Sequence, residues 1–257
     1  QAIARLVPHG ARVLDLGCGD GSLLRYLGDV RQVRGYGVEN DPARLLACAR
    51  NGVNVIQIDM EQGLAGFDYG FFDHVIMSLS LQAMRNTQGI LKEMLRVGHE
   101  AVVSFPNFAY WRHRQSILNG RMPVSKNLPY QWYDTPNVRF FTIDDFNELC
   151  AREGILIREQ LAFDEDKVIV EEPNFLASVA LYRLARADSA APGRSFNGHV
   201  EASADGQWLF TTETHTADQS GWISVRDPRT LARVAEFRKL FEELYNGIGR
   251  KEDLSNL

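Results

Sequence analysis

Short apolar runs alternate with amphipathic segments through the first half of the chain. This alternation is typical of a mostly parallel sheet whose faces are covered by helices. The runs are continuously apolar, as in strands buried on both faces, and they predict strands over residues 12–16, 33–39, 53–58, 72–79 and 100–105. Two later β-rich runs, 155–163 and 175–184, are predicted to pair antiparallel as a hairpin at an edge of the sheet.

The segments between the strands carry the signals that begin and end helices. A capping side chain or a first-turn proline precedes each amphipathic stretch, and a glycine follows it. Thr142 and Asp145 also resemble a capping box. The predicted limits of the helices are Asp41-Pro42 with Gly52, Thr87 with Gly98, and Thr142 with Gly154. The expected fold class is therefore α/β, with helices on both faces of the sheet.

A long connection, from residue 105 to residue 142, follows the last of the predicted parallel strands. It is rich in aromatic residues and prolines and contains one predicted helix over 111–118. Connections of this length within a domain usually have a function. A lid or a binding loop is one interpretation, and a packed structural excursion is the alternative. No Asp or Glu occurs over 101–133, whereas four basic residues do: Arg112, Arg114, Arg121 and Lys126.

The character of the chain changes after residue 186. Small residues and a proline predict a linker over 187–194 between a domain at 1–186 and a β-rich or helical tail at 195–257. In the tail, 207–213 and 222–226 are predicted strands, 231–237 a strand or the start of a helix, and 237–245 has helical spacing. Turns are predicted at 203–206 and 227–228. This pattern resembles one blade of a β-propeller, and one blade alone cannot close a ring; the role of the tail is left open.

Composition and charge narrow the classes of function. The formal net charge of -5 argues against a general nucleic-acid binder, and no apolar run approaches the ~20 residues that cross a bilayer. The three cysteines, Cys18, Cys48 and Cys150, have no metal-ligand spacing, which favours a reduced compartment and predicts no metal site. Gln1 is not followed by a basic and then apolar leader. We therefore expect a cytoplasmic protein that does not bind membranes.

The first predicted strand leads into a glycine-rich turn, Asp15-Leu16-Gly17-Cys18-Gly19-Asp20-Gly21. Glycines let the backbone adopt positive φ and approach a ligand closely, and the N–H groups at the start of the following helix favour a carboxylate. Asp15 is placed to orient the loop or to meet an ammonium group. The spacing resembles motif I of class I methyltransferases, whereas a dinucleotide site would carry its third glycine one place later.

Two more acids end the next two predicted strands. Glu39, followed by Asn40, is where a carboxylate that chelates ribose hydroxyls is expected. Asp59, followed by the apolar Met60, resembles the position at which class I methyltransferases recognise the adenine amino group and cover its ring. Either acid alone could be a solvated residue or a helix cap. Because three acids at successive strand ends meet at one edge of the sheet, we predict a ligand site there.

Several stretches resemble the MetW family of bacterial methionine-biosynthesis proteins, from near the N-terminus to about residue 186. They are 34–39, 52–57, 93–98, 103–108, 120–126 and 128–137. The resemblance implies a class I methyltransferase-like (Rossmann-like) fold, S-adenosylmethionine or S-adenosylhomocysteine as cofactor, and action with homoserine O-acyltransferase. It assigns cofactor binding to Asp15, Gly17, Gly19, Gly21, Glu39 and Asp59, and it places Ser78 and Leu79 beside the methyl donor. The neighbouring Cys18, Asn40 and Met60 complete the predicted cofactor-binding residues.

Three functions remain open. The first is a methyltransferase, for which His113, Tyr130 and Tyr133 are candidate bases, although a packing role is the more common one for such residues. The second is a non-catalytic partner that activates the acyltransferase through the basic and aromatic loop. The third, a nicotinamide-dependent oxidoreductase, is disfavoured by the glycine spacing. Candidate substrate or partner residues are Trp111, Arg112, His113, Arg114, Arg121, Lys126, Tyr130 and Tyr133, with Trp132 among the loop aromatics.

Overall fold

An eight-stranded sheet lies at the centre of residues 1–186 in the computed structural model. Its strands are β1 (Arg12–Leu16), β2 (Arg34–Glu39), β3 (Val55–Gln57), β4 (Phe72–Ser78), β5 (Gly98–Pro106), β6 (Ile155–Asp164), β7 (Lys167–Val168) and β8 (Val179–Arg186). They are arranged in the order β3-β2-β1-β4-β5-β8-β6-β7. The first five are parallel, and β8 runs antiparallel to both β5 and β6. The predicted sheet and its antiparallel edge are confirmed.

Two apolar cores lie on opposite faces of this sheet because successive side chains of a strand point to opposite sides. The helices are α1 (Ala2–Leu6), α2 (Ser22–Arg31), α3 (Pro42–Arg50), α4 (Thr87–Val97), α5 (Trp111–Leu118), α6 (Ile143–Arg152) and α7 (Pro173–Leu176). The first core includes Leu14 and residues of α4 and α6, and the second includes Val13 and residues of α1, α2 and α3. Two 3-10 turns span Met60–Gln62 and Leu81–Ala83.

The helix caps follow the sequence signals with one correction. The side chain of Asp41 accepts hydrogen bonds at the start of α3, and Thr142 and Asp145 form a reciprocal capping box on α6. The N-cap of α4, however, is Asn86, whose Oδ1 accepts from Gly89 N at 3.0 Å. The prediction that Thr87 caps this helix was wrong, because its hydroxyl donates to Met84 O instead.

The predicted limits of the strands agree with the observed ones to within two residues, except at the start of β8. The run 175–184 was placed too early, since Pro173 begins the short helix α7 and β8 starts only at Val179. Proline is favoured at the first position of a helix because its φ is already helical. β3 is restricted to three residues and is largely exposed at the sheet edge, so the expectation of burial on both faces fails there.

Residues 187–257 form a second unit, of which the structure describes part of the backbone. The described residues of the whole chain are 1–187, 194–202, 207, 209–215, 221–226 and 233–239. Four antiparallel strands, β9 (Arg194–Ala202), β10 (Leu209–His215), β11 (Gly221–Arg226) and β12 (Arg233–Lys239), pair in the order β12-β11-β10-β9. A propeller blade has the same number of strands.

The predictions for the tail compare with this unit as follows. β9 was not predicted, and the predicted segment 231–237 contributes to the strand β12. Most of the predicted linker, both predicted turns and the helical pattern after residue 239 lie outside the described residues.

Two kinds of feature are absent from the described ranges. None of the helices there has both the length and the apolar character that crossing a bilayer requires. Those same ranges contain no group of three or more His, Cys, Asp or Glu side chains able to hold a metal ion.

Aromatic packing stabilises the antiparallel half of the sheet against α6. The ring of Phe146 lies 4.8 Å from that of Phe105 and 4.7 Å from that of Tyr182, centroid to centroid, and all three side chains are buried. We expect Phe146→Ala to lower the free energy of unfolding by about 3–5 kcal/mol, because it leaves a cavity in this core. Urea unfolding measures the loss. The control Val170→Ala, at a side chain that is 83% exposed, should change stability by less than about 0.5 kcal/mol.

Candidate cofactor-binding site

The glycine loop between β1 and α2 is bonded to the neighbouring strand β2. Backbone N–H groups of Gly17 and Cys18 donate to Val38 O at 2.8 and 3.1 Å. Gly17 and Gly19 have φ of +69° and +61°, which favours glycine at both. A Cβ on Gly17 would lie 2.9 Å from Ser80 Oγ, whereas a Cβ on Gly19 would meet nothing within 4 Å. The loop is therefore tight against the protein at Gly17 and open at Gly19, where a ligand can approach the backbone.

Glu39 joins the end of β2 to this loop. This residue is only 6% exposed, and its Oε2 accepts a hydrogen bond from Gly19 N at 3.0 Å. Its Oε1 accepts from the backbone N–H groups of Asn40 and Asp41 at 2.9 and 3.1 Å. Arg44 lies nearby, with Nη1 3.7 Å from Oε2. The carboxylate is thus fixed in orientation beside the open part of the loop.

Asp15 lies on β1, between β2 and β4, and is 2% exposed. Burial, with a smaller contribution from the negative charge of Glu39, raises the pKa of its carboxyl group from 3.8 to about 7. Among the described residues, no group donates a hydrogen bond to this carboxylate. Asp15 is therefore a buried acid whose charge would be stabilised by a cationic group placed beside it.

The end of β3 contributes Asp59 and Met60. Asp59 is exposed and caps a 3-10 turn, with Oδ1 accepting from Glu61 N at 3.1 Å and Oδ2 from the Gln62 side chain at 3.2 Å. Met60 is half-buried, and its Cε is 3.6 Å from where a Cβ on Gly17 would lie. The 3-10 turn therefore brings an apolar side chain to the glycine loop.

The other predicted cofactor residues lie just after β2, just before α2 and at the end of β4. Asn40 is exposed just beyond Glu39, and Gly21, also at positive φ, begins α2. The half-buried Ser78 ends β4, where its Oγ is 3.2 Å from Ser104 Oγ. Leu79, next in the chain, is 44% exposed with φ of +53°. A bulky side chain in that left-handed conformation is uncommon and marks a constrained turn.

Cys18 points away from the loop and into the second core. Its Sγ lies 3.7 Å from Cys48 Sγ, and a Cβ on Gly37 would come within 2.4 Å of it. Burial is the main cause of a raised pKa for both thiols. Only the backbone of Cys18 can therefore line the site.

Side chains of α3 and its C-cap support the loop from behind and were not found from the sequence. Cys48 Sγ donates to Gly19 O at 3.1 Å, and Asn51 Nδ2 donates to Asp20 O at 2.8 Å. The sequence marks Cys48 only as one of three cysteines. Nothing in its spacing indicates a contact with a residue twenty-nine positions away, because that contact depends on how α3 packs against the sheet.

His113 is enclosed by the long connection rather than presented to solvent. It is 1% exposed; its Nδ1 lies 3.1 Å from Asn107 O and its Nε2 3.0 Å from Ser125 Oγ. A carbonyl oxygen can only accept, so Nδ1 carries the proton and Nε2 accepts from the hydroxyl. Burial lowers the pKa of His113, and the neutral ring serves here as a packing residue.

The remaining loop candidates lie at the surface. Arg114 is committed to the protein, because its Nε donates to Ala109 O at 2.6 Å and its guanidinium lies over the Phe175 ring. Arg112 lies over the Trp111 ring at 5.2 Å. The others are exposed: Arg121, Lys126, Tyr130 and Tyr133. Neither of the two cations among them forms an ion pair with a described residue.

The sheet order, with β8 reversed beside β5, defines a class I S-adenosylmethionine-dependent methyltransferase-like fold. Residues 1–184 match the family described as methionine biosynthesis protein MetW. The chain belongs to this family. Residues 176–249 match a second family, described as a protein of unknown function, DUF1513.

A curated relative supports the same assignment. The bifunctional methionine biosynthesis protein MetXA/MetW of Rhodopirellula baltica is 39% identical over 184 residues, covering 68% of this chain. The chain matches only 30% of the length of that relative.

Solved structures of similar fold have diverged far in sequence. An S-adenosylmethionine-dependent methyltransferase from Thermotoga maritima matches with a TM-score of 0.54 at 21% identity, over 72% of this chain and 86% of that one. The [4+2]-cyclase SpnF matches with a TM-score of 0.52 at 15% identity, over 72% of this chain and 80% of that one. Since a [4+2]-cyclase is named for a different reaction, the shared fold alone does not specify methyl transfer.

We expect Asp15→Asn to change how stability depends on pH. The folded protein holds the Asp15 proton with a pKa of about 7 against 3.8 ordinarily, so its stabilising contribution is complete below about pH 4 and is lost as the pH rises through 7. From about pH 5 to pH 8, the wild type should therefore lose roughly 2–3 kcal/mol relative to the variant. Urea unfolding of both proteins, with Asp29→Asn as a surface control, measures this; parallel pH dependences would contradict the raised pKa.

Proposed function

We propose that residues 1–186 are a domain that binds S-adenosylmethionine, and that the protein acts in methionine biosynthesis together with homoserine O-acyltransferase. The observation that carries the first part is the 3.0 Å hydrogen bond from Gly19 N to Glu39 Oε2. It holds a buried acid of β2 beside the open part of a glycine loop, close to a second buried acid, Asp15. A glycine loop beside two buried acids suits an adenosyl amino acid, because that ligand carries an ammonium group and ribose hydroxyls.

The chemistry of these residues fits the parts of that ligand. The carboxylate of Asp15, which no described group neutralises, suits the ammonium of the methionine moiety, directly or through water. Glu39 accepts three backbone hydrogen bonds, and a carboxylate can accept about four, so it retains capacity for a ribose hydroxyl. Asp59 suits the adenine amino group, and Met60 suits the ring face.

Bound S-adenosylmethionine would supply an electrophilic methyl group. The protein could use this ligand either as a methyltransferase or as a non-catalytic partner of the acyltransferase. A methyltransferase must align an acceptor with that group and, for an acceptor of high pKa, remove a proton. Both ring nitrogens of the candidate base His113 are already hydrogen-bonded within the protein. Tyr130 and Tyr133 are exposed. These observations favour a ligand-binding partner that activates the acyltransferase, with catalysis as the second candidate.

The association with the acyltransferase is supported by the bifunctional relative. The name of that protein joins MetXA to MetW, and the matched segment covers 30% of its length. Fusion holds two modules at high effective concentration, which benefits modules that work together. We infer that the two parts associate as separate chains where they are not fused.

Titration calorimetry tests the ligand. The wild type should bind S-adenosylmethionine and S-adenosylhomocysteine, and Glu39→Ala should weaken both by about tenfold or more, because charge-assisted hydrogen bonds contribute about 1.5–3 kcal/mol. Glu148→Ala, at an exposed acid on α6, is the matched control and should bind as the wild type does. Heat with NAD and none with either adenosyl compound would contradict the proposal and favour the oxidoreductase.

Co-purification followed by two activity assays distinguishes the roles. The full chain should recover homoserine O-acyltransferase of the same organism and raise its rate of acyl transfer. For an activating partner, the complex should not consume S-adenosylmethionine above the rate of a protein-free control. Donor turnover by the chain alone, without an effect on acyl transfer, would instead establish a methyltransferase.

A further inference from the structure

Helix α5 buries few of its residues against the rest of the domain. Of its eight residues only His113 is buried and only Ser116 is half-buried. Its apolar residues are exposed: Trp111 by 36%, Ile117 by 46% and Leu118 by 86%. A helix this short is marginal in water without packing partners, so an apolar side that faces solvent indicates that another surface covers it.

The chain that follows α5 extends the same exposed apolar composition. Met122, Val124 and Tyr130 are 46%, 49% and 44% exposed. Trp132 and Tyr133 are 72% and 71% exposed, with their rings in an edge-to-face contact at 5.7 Å. Monomeric proteins seldom leave such a group of large apolar side chains in water unless it binds something.

Hydrogen bonds to buried residues fix the middle of the segment from residue 111 to residue 133. His113 connects α5 to Ser125, and the backbones of Ser125 and Leu128 pair as a short β-bridge. Asn107, fully buried, donates to the carbonyl groups of Asn174 and Ala177 at 2.9 and 2.8 Å. The exposed residues therefore lie on a supported framework, which lowers the entropy cost of binding a partner.

The charge of the segment is one-sided. No acid occurs over residues 101–133 although the chain as a whole is negative. Arg112, Arg121 and Lys126 are exposed, and none forms an ion pair with a described residue. The Arg114 side chain donates to Ala109 O. The other three have no side-chain hydrogen bond or ion pair to a described residue and can meet an acidic surface, although Arg112 also lies over the Trp111 ring.

We propose that residues 111–133, the docking surface, bind the homoserine O-acyltransferase through a patch on that enzyme that is apolar at its centre and acidic at its rim. The inference rests on the proposed function for the identity of the partner. Trp, Tyr and Arg are the residues that most often carry the binding energy of protein interfaces. Opposite charges at the rim would orient the two proteins as they meet.

Affinity between the full chain and the acyltransferase, measured by biolayer interferometry, tests this surface. Arg112→Glu with Arg121→Glu should weaken binding at least tenfold, because reversed charges then face an acidic rim. Trp132→Ala should weaken it at least tenfold by removing an apolar anchor. The matched control, Arg25→Glu with Arg50→Glu, makes the same charge change at exposed residues of α2 and α3 and should bind as the wild type does.

The outcomes separate the docking surface from the proposed function. Each variant should retain the wild-type affinity for S-adenosylmethionine, which establishes that it is folded. Binding by the wild type that is unchanged in both surface variants would overturn the docking surface and leave the partnership intact. A wild type that does not bind the acyltransferase would overturn both. Loss of self-association on size-exclusion chromatography, or of binding to phosphatidylserine vesicles, with no change in acyltransferase binding, would assign the surface to a different occupant.

Discussion

The contact from Gly19 N to Glu39 Oε2 connects the two halves of the candidate site. This hydrogen bond holds the Glu39 carboxylate against a backbone turn whose positive φ values favour glycine. The same carboxylate is buried near Asp15. Two acids that share a low-dielectric environment raise the free energy of the unliganded site, as the raised pKa of Asp15 indicates. A cationic ligand lowers that free energy. In the proposed function, the same buried charges that disfavour the empty site would favour a ligand that carries an ammonium group, such as an adenosyl amino acid.

The two faces of the sheet serve the site differently. On the second-core side, α3 supports the loop through Cys48 and Asn51, which bond to the carbonyl groups of Gly19 and Asp20. On the first-core side, α4 and α6 pack against the strands that carry the antiparallel edge. The candidate site therefore lies where β1 and β2 lead into α2 and α3, whereas the proposed docking surface lies on the long connection between β5 and α6.

The family and the fold constrain function to different degrees. The fold is shared with methyltransferases and with a [4+2]-cyclase at low identity, so it establishes architecture alone. The match over residues 1–184 assigns the chain to the family described as methionine biosynthesis protein MetW, and its action in that pathway is part of the proposed function. The hydrogen bonds of His113 and the exposure of the 111–133 segment then favour contact with another protein over chemistry on a methyl acceptor.

The sequence pattern located the five parallel strands to within two residues at each end, with three acids at or just beyond strand ends, because strands buried on both faces are nearly continuous apolar runs. It also predicted α5 and the capping box of α6. The orientation of Cys18 toward the core, the bond from Cys48 to the loop and the enclosure of neutral His113 became evident only in the folded chain. Those contacts join residues brought together by the packing of helices on the sheet, and no local periodicity encodes that packing.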